Sequence, residues 1–588
     1  MSKYKLILPK IPRYDRLALA CTSVALIATY IRLYFGVDFT DEAYYVARAY
    51  QYVLGAKPWV DDISLIPFAI LTVPFVKLYC WIVGNTDGII LFTRHLYFGL
   101  NCLVASLVFL YIRTLIRWST ALLTASICVV FIPFNIPNLS YNTMGIGFFT
   151  AGCFWGIWVI SKRGNPAYLL FSGFCHGLAI FSYPTLLITS SIYILLLLCL
   201  GEVRKIQALL AYFLGGLPLA LLLLNLILGS GISNVLISRE YARSLGYSAN
   251  TQKLYSVMSF LGGAYIYTLP IFLALTALYI IGAKKRRMLG AFSKVLLLVP
   301  LLVIPIIYYA YDLECGCRFS IGYLFYYSIL APYFLLFVGP DKGLQKLFYI
   351  IWCPSFISGL VIAYTSGNGN VSAGLGMLSA SIATTILLIK SFLKFAHNNS
   401  NTKILYRELI HPCLVVTLLV FSQYYLPKVD NITYRDADIY KLNSKIESGP
   451  FAGLYTSQEK KEYLAELSKD LKTVYKPGDR VLFYYNNFPA GYLLTSMRSA
   501  TKVSFLLAPG CYRSEKVRQV ITTYIQQNLD GYNVIAVNIK RVLLWKFDSV
   551  EVSSNDFISK KIESSQGYKL VLSKQNYSIS RIGKDNNS

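Results

Sequence analysis

The chain has 588 residues, is 55 % hydrophobic and carries only 14 % charged residues, with a mean hydropathy of +0.52; this excludes a single soluble globule and implies a polytopic membrane protein. The formal charge of +26 would suit a nucleic-acid partner, but the basic residues stand in small clusters between apolar runs rather than along one helix or stripe. Their pattern is topological, and no nucleic acid is expected. The 12 cysteines are mostly inside apolar runs without zinc-ribbon or redox-motif spacing, so they read as small hydrophobes and Cys315-Gly-Cys317 as two loop thiols.

At the N-terminus, Lys3, Lys5, Lys10, Arg13 and Arg16 precede an apolar run from Leu17 that has no small-residue cleavage site, which predicts an uncleaved first span over 17–36 with a cytoplasmic N-terminus. Next comes "DFTDEAYYVARAY", which gathers Asp38, Asp41 and Glu42 directly after that span. Thr40 is the expected N-cap, with Asp41 and Glu42 in the first helical turn, where negative charge suits the helix dipole. Asp41, Tyr45, Arg48 and Tyr52 then share one face. Two readings stand side by side: a capped interfacial helix, or a carboxylate at the mouth of a membrane cavity acting as general base. The following segment, 64–84, is apolar but carries Pro67, Pro74 and Lys77. It is expected to lie in the outer interface with Lys77 reaching for water, since counting it as a span would invert every later loop.

Apolar segments near 17–36, 91–112, 119–135, 143–161, 167–183, 185–200, 207–229, 257–282, 295–311, 320–339, 347–365, 372–390 and 408–426 predict about 13 spans. Alternate connections then carry Arg113/Arg117, Lys162/Arg163, Arg204/Lys205, Lys284–Arg287 and Lys342/Lys346, an excess of basic residues on the inner side of about threefold. Arg94 falls near the outer end of a span, where a charge is costly unless paired or working. The outer loop 230–256 adds Arg239, Arg243 and Lys253; Arg239 and Arg243, at i and i+4, can face one anion or attract lipid headgroups nonspecifically. "YTSGNGNVSAGLG" (364–376) follows a span and lacks a P-loop lysine, so it reads as an outer turn leading into a small-residue packing face.

Beyond about residue 427 the composition shifts to amphipathic helical stretches (458–475, 514–529) alternating with short β-type runs such as "RVLFYY" and "YNVIAVNI". The expected organisation is a transmembrane unit over 1–427, with its first outer loop at 37–90, and an extracytoplasmic α/β domain over 428–588. The turn "YYNNFPAGY" (484–492) has residues suited to stacking on and hydrogen-bonding a sugar, and equally ordinary at the edge of a strand.

"DEAYY" at 41–45, then Gly55, Asp61, Asp62 and Pro67, then Gly84 and Arg94 opening the second span, resembles the GT-C membrane glycosyltransferases, in particular the protein O-mannosyltransferase and aminoarabinose-transferase-like group. "NLSYNTMG" (138–145) resembles a second-outer-loop feature of that group more loosely, and the usual His-Pro-Pro after the loop aspartate is absent, Ile63-Ser64 standing there instead. The resemblance implies an inverting transferase that moves a sugar from a polyprenyl-phosphate donor to a lipid, glycan or protein acceptor on the extracytoplasmic face of a membrane, with the bacterial inner membrane favoured. It implies Asp41 as the base and Glu42 as the second choice. Arg94, Arg48, Arg239 and Arg243 are then candidates for the donor phosphate, because a guanidinium offers a planar, permanently charged fork. Arg48 is read more readily as a partner of Asp41. Asp61 and Asp62 are secondary acidic candidates; with Asp41 they can offer oxygen ligands to a divalent cation, although no spacing requires one and no cofactor is expected with certainty. Two alternatives stay open: a transporter or flippase of lipid-linked glycans, against which the absence of a repeat and of mid-span acids speaks, and a membrane scaffold for a glycan-binding outer domain.

Overall fold

Helices in the computed structural model occupy every apolar segment named above. It describes residues 12–64, 67–161, 165–200, 204–246, 250–284, 286–311, 318–339, 341–396, 403–424, 436–437, 439–485, 487–504, 514–540 and 557–583. Cys315, Cys317, Lys162, Arg163 and Asn486 lie outside the described residues. Among those described, 7 helices are long and apolar enough to cross a membrane, and 5 further apolar helices are shorter. That criterion falls short of the expected count because several segments are broken or brief. The segment 118–130 is divided at Ser126, and Leu186–Leu200 has only 15 residues.

Helix α1 (Arg13–Arg32) starts a few residues before the expected span and is tied at its N-terminal end by Asp15, which accepts two bonds of 3.0 Å from Arg117, and by Tyr14, hydrogen-bonded to Thr120. α2 (Asp41–Val53) is the acidic helix. α3 (Ala69–Val83) buries Ala69, Thr72 and Val76 along one stripe and exposes Phe75, Leu78, Trp81 and Ile82. Lys77 is exposed on the same short, proline-bearing helix. α4 (Ile89–Ile112) follows, entered through Gly88 at φ 74°.

Close packing in the helical unit relies on glycine. A Cβ on Gly173 would come within 1.9 Å of the Tyr212 carbonyl oxygen, and one on Gly215 within 2.0 Å of that of Leu170, so helices Ala167–Ser182 and Lys205–Ser230 meet backbone to backbone. The small-residue face expected after "YTSGNGN" is used in the same way. Gly374 abuts the Ile321 carbonyl at 1.8 Å and Gly376 the Gly359 nitrogen at 2.3 Å, measured from the Cβ each lacks.

Beyond the helices, β1 (Ser444–Lys445) and β2 (Tyr455–Thr456) form a short antiparallel ladder. β3 (Arg480–Tyr484), β4 (Arg498–Ser499), β5 (Val534–Ile539), β6 (Tyr568–Ser573) and β7 (Tyr577–Ile582) form a five-stranded sheet in the order β4-β3-β5-β7-β6, parallel among the first three and antiparallel beyond. Alternation within β3 and β5 explains their nearly unbroken apolar runs. Val481, Phe483, Ile535 and Val537 join the core under helix Gln458–Val474, while Leu482, Tyr484, Val534 and Ala536 join that under helix Glu515–Gly531.

Gly374→Ala inserts a methyl group where only backbone fits, and overpacking of this kind costs about 1–3 kcal/mol. A lowered thermal-unfolding midpoint for that variant in detergent, with Gly99→Ala unchanged because nothing lies within 4 Å of its missing Cβ, is the expected result.

Candidate active site at the first outer loop

Thr40 stands at the N-cap of α2 as expected, its carbonyl accepting from the Tyr44 N–H at 2.8 Å, but the capping side chain is that of Asp38. The Asp38 carboxylate accepts from the Thr40 N–H at 2.9 Å, the Thr40 hydroxyl at 2.6 Å and the Glu42 N–H at 3.2 Å, whereas Thr40 makes no side-chain cap. Sequence spacing alone favours Thr40, the residue adjoining the helix; what decides is that the chain folds back at 38–40 so that the earlier aspartate reaches the free N–H groups.

The two acids that follow are treated differently. Glu42 is 1 % exposed and Arg94 2 %, and they form a forked pair, Nε to Oε1 at 2.7 Å and Nη2 to Oε2 at 2.6 Å. Arg94 also donates to the carbonyls of Leu33 at 2.6 Å, Phe35 at 3.2 Å and Gly36 at 2.7 Å, which employs all of the N–H donors a guanidinium has. Asn138 adds a bond of 3.0 Å to Glu42 Oε1. Arg94 has no donor to spare for a phosphate, and Glu42 is a buried brace; together they fix the end of α1 to the start of α2. Asp41, one residue earlier, stands partly exposed at the helix N-terminus.

Arg48, expected beside Asp41, has Asp62 as a partner, Nε to Oδ2 at 2.6 Å, and also donates to the Tyr52 hydroxyl at 3.0 Å. The guanidinium lies 5.5 Å from the Tyr44 ring and 5.2 Å from that of Phe68. Burial opposes its charge, yet Asp62, with Tyr44 and Tyr52, holds its pKa well above the ordinary arginine value. Asp61 accepts from Arg498 at 3.0 Å and from the Tyr524 hydroxyl at 2.9 Å. The paired aspartates therefore anchor the loop in two directions, Asp62 to α2 and Asp61 to the C-terminal domain. Among the described residues, no group of three or more His, Cys, Asp or Glu is arranged to hold a metal.

The C-terminal domain closes on the loop from the other side. Lys460, 3 % exposed, donates to the Val37 carbonyl at 3.1 Å and pairs with Asp436 at 3.1 Å, while Asp436 accepts the Val37 N–H at 2.8 Å. Phe39 is set among Phe451, Tyr463 and Phe488, and its carbonyl accepts the Ala490 N–H. In the turn "YYNNFPAGY", Tyr484, Phe488 and Tyr492 are buried and Phe488 and Ala490 grip the acidic loop, while Tyr485 and Asn487 are partly exposed. Gln51 bonds the backbone of Met497 and Ser499 likewise. Lys460, Asp436, Gln51 and Arg498 gave no signal in the sequence, since each is an ordinary polar residue until the chain brings it to its partner.

Arg239 and Arg243 lie on helix Ile232–Ser244, both exposed, with no hydrogen-bond or ion-pair partner among the described residues. That helix is fastened to the loop by Ser238, whose hydroxyl donates to the Ile63 carbonyl at 2.5 Å. Lys253 is committed elsewhere, to the carbonyls of Gly246 and Ser366.

Removing one side of a buried ion pair leaves the other uncompensated, at a cost of about 3–5 kcal/mol. Arg94→Ala is accordingly expected to lower the unfolding midpoint sharply and to open the 33–42 segment to limited proteolysis; Glu42→Gln with Arg94→Gln recovers part of the loss.

No family model and no curated protein matches the sequence. Among the solved structures that resemble the chain are three at 10 % identity, all oligosaccharyltransferases of Archaeoglobus fulgidus. One is tethered to an acceptor peptide containing the NVT sequon; the match covers 89 % of this chain and 69 % of that one at a TM-score of 0.42. Another, AglB in complex with an inhibitory peptide and a dolichol-phosphate, matches over 98 % and 75 % at 0.43. The third, with Zn and sulfate, matches over 88 % and 68 % at 0.42. Likenesses so distant leave the activity of this chain to be argued from its own residues.

Proposed function

We propose that the protein is a membrane glycosyltransferase of the GT-C type that moves a sugar from a polyprenyl-phosphate donor to a lipid, glycan or protein acceptor on the extracytoplasmic side, with its N-terminus cytoplasmic and the bacterial inner membrane as its site. One observation carries the reading: of the two adjacent acids, Glu42 is consumed in bracing the loop while Asp41 stands partly exposed at a helix N-terminus held from both sides. So much structure around one short acidic turn is the rigid support that a reacting carboxylate needs.

In the proposed reaction the Asp41 carboxylate accepts the proton of the acceptor hydroxyl or amine as that atom forms its bond to the anomeric carbon. Attack comes from the face opposite the phosphate, so the configuration inverts. The bond from the anomeric carbon to the phosphate oxygen breaks, and polyprenyl phosphate leaves with the electron pair. Arg239 and Arg243 are the cations proposed to meet that phosphate, being i, i+4 neighbours on a helix tied to the acidic loop. Arg94 and Arg48 act as positioning residues, through Glu42 and Asp62. Dolichol-phosphate and a peptide are ligands of the archaeal structures above; for this chain the corresponding donor and acceptor classes are proposals.

Asp41→Asn is expected to leave insertion and donor binding intact and to reduce transfer of radiolabelled sugar by about 100-fold or more, the scale of a lost general base. Unchanged transfer removes Asp41 from the mechanism. Arg239→Ala with Arg243→Ala is expected to weaken binding of the polyprenyl-phosphate sugar by about tenfold or more, with less dependence on salt than the wild type; unaltered affinity assigns these arginines to lipid headgroups.

A further inference from the structure

Helix Glu515–Gly531 packs Val517, Ile521, Ile525 and Leu529 into the sheet. Its opposite face presents Lys516, Gln519, Thr523, Tyr524 and Gln527, which with Lys502 and the side of Ile237 line a groove of about 430 Å³. Clefts of about 300–1,000 Å³ are the usual size for small-ligand sites. Among the described residues lining it there is no acidic side chain.

The groove is continuous with the acidic loop. The Tyr524 hydroxyl donates to Asp61 Oδ1 at 2.9 Å, and the Lys502 carbonyl accepts the Ile63 N–H at 3.1 Å. The Lys502 ammonium stands 5.1 Å from the centre of the Tyr524 ring, and Lys502 also borders a small cavity of about 20 Å³ shared with Arg48, Asp61, Asp62 and Arg498. Partial burial draws its pKa below the ordinary lysine value, while Asp61 works the other way.

Side-chain amides and a hydroxyl offer donor and acceptor together, which matches the vicinal hydroxyls of a sugar; a tyrosine ring adds a surface for its apolar face. Asp61, bonded to Tyr524 and bordering the small cavity beside Lys502, offsets part of the positive charge, but the described lining of the groove itself holds two ammonium groups and no carboxylate, which calls for negative charge on the ligand. Of the described residues lining it only Ile237 and Val520 are apolar, too little surface to seat the side chains of a peptide. From this we infer that the groove binds an anionic carbohydrate, and, resting on the transferase reading, that this carbohydrate is part of the acceptor, led towards Asp41 along the 57–64 loop.

The test uses the full-length protein in phosphatidylcholine nanodiscs and isothermal titration with trigalacturonate, maltotriose and hexaglutamate. Trigalacturonate is expected to bind at least about tenfold more tightly than either of the others, and Lys516→Glu and Gln527→Ala, both on the exposed helix face, to weaken it, the former by about tenfold or more. Absence of trigalacturonate binding, equal binding of hexaglutamate or maltotriose, or indifference to both substitutions overturns the proposal. Binding of a radiolabelled polyprenyl-phosphate sugar to the same nanodiscs is measured separately. Donor binding without trigalacturonate binding overturns the groove alone, whereas trigalacturonate binding without donor binding supports the groove as a carbohydrate site and overturns its link to sugar transfer.

Discussion

The forked pair between Arg94 and Glu42 is the interaction on which the acidic loop depends. Both ions are withdrawn from water, a cost met only when geometry is good and every remaining hydrogen-bonding site is filled. Here the carbonyls of Leu33, Phe35 and Gly36 take the other guanidinium donors and Asn138 takes a remaining carboxylate site. One side chain therefore joins α4, the end of α1 and the start of α2, and the turn carrying Asp41 cannot shift without breaking several bonds at once.

A second set of contacts completes the clamp from outside. Lys460 and Asp436 hold the two sides of Val37, the aromatic cluster around Phe39 encloses the next residue but one, and Asp61 and Asp62 divide the far end of the loop between Arg498 and Arg48. The C-terminal sheet is thus not a detached appendage. One of its apolar faces and the acidic loop share a single core, and Ile63 and Tyr241 enter the core on the other face.

Glycine performs the corresponding task within the helices. Where two helices approach in an apolar solvent, burial supplies little preference, so close backbone contact through Gly173, Gly215, Gly374 and Gly376 sets the packing. Rigidity in that unit and the ion pair above it together give the outer loop a fixed base.

Hydropathy and charge were sufficient to determine helix after helix, the small-residue face at 364–376 and the alternation of helix and strand beyond 436, because each is a local pattern of burial read at a period of 3.6 or 2. Sequence also singled out the acidic turn and the arginines around it. Which acid is buried and which is partly exposed was a tertiary decision: Asp41 and Glu42 are adjacent and alike in chemistry, and Arg94 and Asn138 reach Glu42 from distant segments. The same holds for Asp38 supplying the capping side chain at Thr40, for Asp62 pairing with Arg48, and for the burial of Phe488 against Phe39. An ion pair or an aromatic contact depends on where two side chains meet in space, and separations of 52 residues for Glu42 and Arg94 or 423 for Val37 and Lys460 leave no periodic trace in the chain.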